Sequence, residues 1–491
     1  MAIIDTNLHG VYERVYYWDS HPPLYYYYLK FIADLFGYRT PVYHIASIVP
    51  FLVGLVIACT LIKKHLGTLP SIFFILISAF SESCVEYNLE IRMYSLVFMF
   101  VLLCVCYAYL IIKNSTRIGY FVLMTLFGIL AAYTHYYGLA LCGLIIFFAG
   151  VFNFISCSKR ECSDATAKNK DKRKALLAWI ISTLVYIILY IPWLFVLYFQ
   201  TQAELSAAWM TAPAPFSDVL KFILGGARLK PILLLFIIVM TVIITIRELG
   251  VITLKSGSAS NEIVVAFHKP SFQNFSVDFR AMLLMYVSIL GLLVFGYGVS
   301  YAFHPILAFR YTYVLIPLVL FIFMICMRRL FLYLFPSSKG RLVDDDKRLP
   351  VPETGKKVTA AGIALMVGML LICMIFSLLD FKYFRSVTRT QDVETQKVLD
   401  TIGEPNEDAI LVVNDVKHLA WTVLPYYYDN EIATASPEAI DLQPSEFWTF
   451  TGYVYDRDVL DAMLDKGYTY ESYMNMWLGK YAVNLYHFYK E

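Results

Sequence analysis

Long apolar segments separated by short polar stretches fill most of the chain up to about residue 380. A window of about 19 residues, long enough to cross the hydrocarbon core of a bilayer as a helix, selects about ten of these segments. The predicted spans are 41–62, 68–88, 92–113, 118–135, 138–157, 175–199, 229–247, 281–303, 310–330 and 358–379. The pattern therefore predicts an all-α polytopic membrane domain.

Residues 22–37, ahead of the first span, are too short and too rich in tyrosine for a membrane crossing. Their apolar positions nevertheless recur at helical spacing, which predicts a helix lying in the membrane interface. A belt of aromatic residues that only anchors the next span is the alternative. That alternative leaves Asp19, His21 and the paired prolines Pro22 and Pro23 unexplained.

The pattern changes near Phe381 to that of ordinary soluble sequence, which continues to Glu491. A buried strand, a helix interrupted by a proline, a second strand and a further helix are predicted there, at 409–413, 416–427, 431–434 and 459–464. We therefore predict three parts: 1–40, a partial first outer loop with the interfacial helix; 41–380, the transmembrane domain; and 381–491, a small extracytoplasmic α/β domain.

Composition agrees with the membrane assignment. Hydrophobic residues make up 59% of the chain and charged residues 16%, and mean hydropathy is +0.61, as is typical of a chain built mainly of bilayer-spanning helices. The net charge is only +2 at pH 7, so binding to nucleic acid is not indicated. The nine cysteines show neither a disulfide framework nor the spacing of a zinc site.

Basic residues concentrate in alternate loops, with runs at 63–64, 168–174, 328–329 and 341–357. By the positive-inside rule these loops are cytoplasmic. The opposite loops contain every conspicuous polar motif, so we expect those motifs to be extracytoplasmic. Residues 1–18 would then lie outside, although they contain neither a signal peptide nor a spanning helix. We therefore expect a further helix to precede Met1, giving about eleven spans in full; the alternative is a ten-span protein with a short translocated N-terminus.

The first candidate motif joins Asp19 and His21 to two prolines. Consecutive prolines fix the backbone, hold an extended approach and then begin a new helix. A carboxylate and an imidazole held stiffly at a membrane face indicate a site, although both residues could simply order the loop.

The second candidate motif contains Glu90, Arg92 and Tyr94, at the junction of two predicted spans. Charges at such a place are costly unless they are used or paired. Glu90 and Arg92 could satisfy each other at a helix end. Alternatively, the planar guanidinium of Arg92 binds a phosphate, for which its geometry is well suited.

Histidines mark the outer ends of other spans: His135 precedes Tyr136, and His304 is followed by Arg310 and Tyr311. Each histidine alone is more often an interfacial residue than a ligand.

A divalent metal among His21, Glu90, His135 and His304 would find imidazole and carboxylate ligands that suit zinc or manganese. The spacing of these residues in the sequence gives no ligand signature, so a metal remains a weak alternative.

Four strings together resemble the GT-C membrane glycosyltransferases, which include the protein O-mannosyltransferases, the aminoarabinose transferase of lipid A and bacterial lipopolysaccharide sugar transferases. The strings are Asp19-Ser20-His21-Pro22-Pro23-Leu24-Tyr25-Tyr26, Glu90-Ile91-Arg92-Met93-Tyr94-Ser95, Thr134-His135-Tyr136-Tyr137 and Phe309-Arg310-Tyr311. With the topology, the resemblance covers residues 1 to about 380. Each string alone is weakly specific, whereas their order and common sidedness make the set specific.

The resemblance implies a GT-C fold and transfer of a sugar from a polyprenyl-phosphate donor to an acceptor hydroxyl, usually with inversion. The acceptor would be a glycolipid, polysaccharide or protein, and the reaction would take place on the outer face of a bacterial plasma membrane. Asp19 and His21 are candidate catalytic residues, and Arg92 or Arg310 would bind the donor phosphate and stabilise the leaving group. The supporting residues would be Glu90, Tyr94, His135, Tyr136, His304 and Tyr311. No cofactor is required, because the lipid phosphate already activates the anomeric carbon.

The chain departs from the family in one place. Members usually carry an acidic pair upstream of the His-Pro-Pro string, and its Asp is the expected catalytic base. Only Asp5, Glu13 and Asp19 precede His21, and none forms that pair. Either the pair lies upstream of Met1, or the chain is inactive as written, or Asp19 does the work. The topology favours the first explanation, in which Asp19 is a secondary group and His21 orients the loop.

Two other functions compete with sugar transfer. A transporter or flippase for lipid-linked sugars would share the composition and the interfacial arginines, but it predicts charges inside the spans and an inverted repeat or broken helix pair, which the sequence does not show. An inactive membrane protein whose outer domain binds glycans is the third possibility.

Overall fold

The chain forms two units in a computed structural model, Met1–Phe381 and Lys382–Glu491. The structure describes residues 3–113, 117–157, 165–207, 212–224, 229–249, 253–254, 263–264, 272, 275–334, 356–404, 410–412, 424–428, 433–434, 445–451, 457–479 and 481–490.

Helices make up nearly all of the first unit. They are Leu8–Trp18, Leu24–Phe36, Thr40–Ile57, Lys63–Leu66, Thr68–Phe80, Glu82–Leu89, Tyr94–Lys113, Ile118–Ala132, Tyr136–Cys157, Ala165–Ala207, Phe216–Ile223, Leu229–Glu248, Val277–Ala302, Ile316–Leu334 and the beginning of Lys356–Ile402, with a π-helical turn at Ala58–Ile62 and a 3-10 helix at Phe309–Leu315. Two short antiparallel strands, β1 (Thr253–Leu254) and β2 (Ile263–Val264), complete the unit.

Eight of the described helices are long and apolar enough to cross a membrane. A ninth crossing results if Thr68–Phe80 and Glu82–Leu89, which meet at 62°, form one broken span. The bend has a local cause, because the backbone of Ser81 is extended and interrupts the helix. Ile118–Ala132 is apolar but shorter than the others. All ten predicted segments are thus helical, and the polytopic all-α membrane fold is confirmed; the predicted segment 68–88 is bent at Ser81, and 118–135 is represented by the shorter helix Ile118–Ala132.

Two of the spans lie in the interior of the helical unit. Along their most apolar stretches, 78% of Tyr94–Lys113 and 83% of Phe309–Leu334 is buried, against 22% of Lys230–Glu248. Spans that are mostly exposed in this way present their apolar side chains to lipid. The two interior helices begin at predicted site residues, Tyr94 for one and the 309–311 string for the other.

Buried charges pair with one another at the opposite ends of these helices. Arg328 Nη1 lies 3.0 Å from Asp278 Oδ1, and Arg329 Nε lies 2.9 Å from Asp278 Oδ2. Tyr109 donates a hydrogen bond of 3.1 Å to the same carboxylate, and Arg329 Nη2 lies 3.4 Å from Glu248 Oε1. Pairing is what makes charges acceptable at such depth, so this network ties four helices together.

Two short helices precede the first span. Leu8–Trp18, which the sequence did not predict, is capped by the Asn7 side chain, which accepts a hydrogen bond from the Gly10 N–H at 2.8 Å. The helix predicted within 22–37 is present as Leu24–Phe36. Its first N–H, that of Leu24, donates to the Tyr133 carbonyl at 3.0 Å. The loop between the two helices, which contains Asp19 and His21, is therefore fixed at both ends.

The second unit contains a mixed five-stranded sheet with the order β4-β3-β5-β7-β6. The strands are β3 (Ile410–Val412), β4 (Ala433–Thr434), β5 (Glu446–Thr451), β6 (Thr469–Leu478) and β7 (Tyr481–Tyr489). β3 is parallel to β4 and β5, while β5–β7 and β6–β7 are antiparallel. One face packs on Val398 and Ile402, and the other on Leu460 and Met463 of helix Arg457–Asp465.

Several features of this unit differ from the sequence prediction. The helix predicted to end at 379 continues to Ile402, because no helix breaker intervenes before Gly403, whose φ of +66° ends it. Strands β5, β6 and β7 were not predicted. Of the helix predicted at 416–427, only Leu424–Tyr427 lies among the described residues.

Candidate active site

A hydrogen-bonded pair of side chains, Asp19 and His21, lies at the centre of the candidate site. Asp19 ends helix Leu8–Trp18 in an extended conformation. Its Oδ1 lies 2.5 Å from His21 Nδ1 and accepts a hydrogen bond of 2.7 Å from the Ser20 N–H. The Tyr26 hydroxyl donates to the other oxygen. Only 14% of the Asp19 side chain and 13% of the His21 side chain is exposed, so the pair is rigid and largely shielded from water.

The surroundings of Asp19 favour its ionised form. Burial alone would raise the pKa of this carboxyl, but His21, the Tyr26 hydroxyl and the charge of Arg92 together lower it below its ordinary value. An ionised carboxylate can only accept hydrogen bonds, so His21 donates its Nδ1 proton in a hydrogen bond to Asp19; in the neutral form of the ring the lone pair then lies on Nε2. The pair therefore has the arrangement of an oriented base.

Gln200, which the sequence analysis missed, fixes the backbone of this loop from a distant helix. Its amide Nε2 donates to the carbonyls of Val15 at 2.8 Å and Asp19 at 2.7 Å. The Tyr136 hydroxyl donates to the Gln200 carbonyl oxygen and accepts from Trp193 Nε1 at 3.1 Å. The only signal in the sequence is one polar residue near the end of a long apolar run. Tyr136 was predicted as a supporting residue, and the structure places it in this network.

Aromatic and imidazole rings from four separate motifs meet beside the pair. The centre of the His21 ring lies 5.9 Å from that of His135 and 6.5 Å from that of Tyr311. His135 lies 5.5 Å from Tyr311 and 6.2 Å from Tyr94. We call these four rings, His21, Tyr94, His135 and Tyr311, the ring cluster. Side chains from motifs up to 290 residues apart in the chain thus meet in this ring cluster.

His135 and Tyr94 are both deeply buried members of the ring cluster, each with 2% of the residue exposed. His135 has the more informative contacts. Its Nδ1 accepts a hydrogen bond of 3.1 Å from the Tyr137 N–H. Burial, followed by the nearby His21 and Arg310, lowers the pKa of the ring well below its usual value. The imidazole is therefore neutral at physiological pH.

Two arginines supply positive charge to the same region. Loss of water around Arg92 opposes its charge, but Tyr26, Tyr94, Asp19 and Glu90 outweigh this effect and raise its pKa. Arg310 Cζ lies 5.4 Å from the centre of the Tyr311 ring. The predicted Arg92, Glu90 and Arg310 therefore lie beside the ring cluster, where an anionic group would find two cations.

His304, another predicted residue, follows helix Val277–Ala302. Its backbone N–H bonds to the Val299 carbonyl at 3.3 Å, at the end of helix Val277–Ala302. The following segment does reach the site, because the Tyr137 hydroxyl donates to the Ile306 carbonyl at 3.0 Å. Within the described part of the chain, no group of three or more His, Cys, Asp or Glu side chains is arranged to bind a metal ion.

Comparison with known proteins gives structural matches only. No protein-family model matches the sequence, and no curated protein does. The crystal structure of ArnT from Cupriavidus metallidurans in the apo state matches with a TM-score of 0.50 and 11% identity, over 95% of this chain and 87% of ArnT. ArnT bound to undecaprenyl phosphate matches with a TM-score of 0.48 and 11% identity, over 95% and 88%.

A third match is the archaeal oligosaccharyltransferase AglB from Archaeoglobus fulgidus, in complex with an inhibitory peptide and a dolichol-phosphate. Its TM-score is 0.43 at 10% identity, over 84% of this chain and 56% of AglB. ArnT and AglB are both GT-C glycosyltransferases. At these identities a match shows the fold alone, and apo ArnT, with a TM-score of 0.50, is the match that shows it. Because that match spans nearly the whole chain, this multi-pass membrane protein has the GT-C fold that the four sequence strings predicted.

Proposed function

We propose that the protein is a glycosyltransferase that moves a sugar from a polyprenyl-phosphate donor to an acceptor hydroxyl, with inversion at the anomeric carbon. The observation that carries the proposal is the convergence of Asp19, His21, Arg92, His135 and the 310–311 pair at one site, although they come from separate parts of the chain. ArnT, whose fold the chain shares, is known in a form bound to undecaprenyl phosphate.

The two arginines suit the donor. A lipid-linked sugar phosphate lies in the bilayer with its charge at the interface. Arg92 and Arg310 would bind that phosphate and stabilise the negative charge that develops on it as the glycosidic bond breaks.

The oriented imidazole suits the acceptor. As the acceptor oxygen attacks the anomeric carbon from the side opposite the phosphate, its proton passes to His21 Nε2. Asp19 keeps the ring in the required tautomer and stabilises the imidazolium that forms, which is the division of labour in catalytic triads. Both oxygens of the Asp19 carboxylate already accept hydrogen bonds, so Asp19 is better placed to orient His21 than to take the proton of the acceptor hydroxyl itself.

The proposal also covers the kind of acceptor and the side of the membrane on which the site lies. The acceptor is a glycolipid, a polysaccharide or a protein of the cell envelope, and the site lies on the extracytoplasmic face of a bacterial plasma membrane. The distribution of Lys and Arg supports this orientation. A cysteine introduced at Thr469, in the second unit, should react with a membrane-impermeant maleimide in intact cells, whereas one at Arg117 should react only after lysis. The reverse pattern would contradict the orientation.

Sugar transfer itself can be measured with the full chain in membranes. The membranes receive undecaprenyl phosphate carrying a radiolabelled sugar, tested over a panel of pentoses, hexoses and uronic sugars, together with an envelope extract as acceptor. We expect label to move into the acceptor fraction with wild-type protein, and His21→Ala to reduce transfer by about 10²–10⁴-fold, the range for loss of a general base. Equal transfer by both proteins would contradict the mechanism, and no transfer from any donor would contradict the function.

A further inference from the structure

One buried polar atom of the site has no partner. Among the residues that the structure describes, none forms a hydrogen bond with Nε2 of His135. The residue is nevertheless almost wholly buried, with only 2% of it exposed. Buried polar groups in proteins are nearly always satisfied, so an exception inside a candidate site calls for a cause.

The other ring nitrogen determines which proton this atom carries. The Tyr137 N–H donates to His135 Nδ1 at 3.1 Å, so Nδ1 must present a lone pair. In a neutral imidazole the single proton then lies on Nε2. The unpartnered atom is therefore an N–H donor.

The groups that face the ring keep it neutral. They come from each element packed around it: His21 from the loop, Tyr94 from its interior span, Tyr137 from the following helix, and Arg310 with Tyr311 from the 3-10 helix. Burial and the adjacent basic groups disfavour a second proton on the ring, as the lowered pKa of His135 reflects.

We propose that the Nε2–H of His135 is a preformed hydrogen-bond donor for a phosphate oxygen of the lipid donor, next to Arg310. This inference rests on the proposed function and adds the group that recognises the phosphate in a shielded part of the site. A donor beside a guanidinium favours an anionic acceptor oxygen, since charge-assisted hydrogen bonds are the stronger kind. Because Nε2 already carries the proton, His135 does not act as a base; that role stays with His21.

The inference predicts opposite effects of one substitution on stability and on binding. In the ligand-free protein the unpartnered donor costs free energy, so His135→Phe should leave the melting temperature unchanged or raise it. The same variant should bind undecaprenyl phosphate about 10- to 100-fold more weakly, the range that corresponds to one lost hydrogen bond to a charged group. Binding of undecaprenol, which lacks the phosphate, should not change. A residue with a merely structural role would not separate these ligands.

Two further variants act as controls in the full-length protein in nanodiscs. His135→Gln keeps an N–H donor and has no titrating ring, so it should recover most of the phosphate affinity and leave the pH dependence of transfer as in the wild type. Ser288→Ala removes another buried, unpartnered polar atom, on helix Val277–Ala302, and should leave binding of both lipids unchanged.

Three outcomes would overturn the inference: undiminished binding of undecaprenyl phosphate by His135→Phe, equal weakening for undecaprenol, or a limb of the wild-type pH profile that disappears in His135→Gln. The last result would mean that His135 titrates. These failures differ from failure of the proposed function, in which the wild-type protein itself would neither bind undecaprenyl phosphate nor transfer sugar.

Discussion

His21 Nδ1 lies 2.5 Å from Asp19 Oδ1, in a loop fixed by helix Leu8–Trp18 on one side and by helix Leu24–Phe36 on the other. The ionised carboxylate accepts a hydrogen bond from Nδ1–H, so in the neutral ring Nε2 is the basic atom. This relationship makes the tautomer of His21, rather than the charge of Asp19 alone, the property on which catalysis should depend.

Asp19→Asn tests this dependence. An amide at this position can donate to Nδ1 and so stabilise the opposite tautomer, with its proton on Nε2. We therefore expect the turnover of sugar transfer to fall by about 10²–10⁴-fold, with little change in the KM for the lipid donor. Asp34→Asn is the matched control, because its exposed carboxylate bonds to Lys30 at 3.0 Å on the following helix; comparable losses in both variants would refute the role of Asp19.

The lowered pKa of Asp19 has a consequence for stability at acid pH. A carboxyl whose pKa is lower in the folded than in the unfolded protein stabilises the fold above the unfolded value, here about 3.8, and this contribution disappears as pH falls through the folded value. The difference in melting temperature between wild-type protein and Asp19→Asn should therefore shrink as pH falls below about 3.8. A difference that grows towards acid pH would contradict the assignment.

Arg92 should be required for use of the lipid phosphate. Arg92→Ala removes a fixed positive charge beside Asp19 and Tyr94, and we expect transfer to become undetectable at normal expression. Arg92→Lys should recover only part of the activity, since an ammonium cannot bind two phosphate oxygens with the planar geometry of a guanidinium. Arg117→Ala, which removes an exposed arginine that lies 5.7 Å from the Tyr120 ring, should have no effect. Transfer by Arg92→Ala at the wild-type rate would exclude Arg92 from the site.

The helical part of the fold was predictable from the sequence, because long apolar runs have few alternatives to spanning helices. Grouping of the polar motifs was also predictable in outline, since loops on one side of a membrane can meet. The contacts of Gln200 were not, because its two acceptors lie 185 and 181 residues away in the chain. Such pairings depend on how the helices pack, about which local patterns carry no information.

In the second unit, the sequence pattern did not predict strands β5, β6 and β7. Strands β5 and β7 contain aromatic residues on both faces, so the alternation that marks a half-buried strand is weak. Both faces are in fact covered, one by Val398 and Ile402 and the other by Leu460 and Met463. Apolar residues on both sides of a strand are the expected consequence of a sheet between two layers of helix.

Gln200 provides a test of how the loop is positioned. Gln200→Leu would leave the Val15 and Asp19 carbonyls without their donor and the Tyr136 hydroxyl without its acceptor. We expect a loss of about 1–3 kcal/mol in the free energy of unfolding and a lower turnover, because the Asp19–His21 loop is released. Thr201→Val is the neighbouring control, since its hydroxyl bonds only locally to the Leu197 carbonyl at 2.7 Å. If Gln200→Leu had wild-type turnover, the loop would have to be held by other contacts.

Asp278 should matter for stability and not for chemistry. It lies against Tyr109, which is fifteen residues beyond Tyr94 in the same helix and hence about 22 Å from the ring cluster. Asp278→Asn would leave Arg328 and Arg329 buried without their shared counter-charge, so we expect the free energy of unfolding to fall by about 3–5 kcal/mol. The KM for the lipid donor should be unchanged in the protein that remains folded. The exposed Asp218→Asn, which loses a surface pair with Lys221 and alters a surface hydrogen bond from Ser217, should unfold like the wild type. If Asp278→Asn and Asp218→Asn were equally stable, the buried network would not be what holds these spans together.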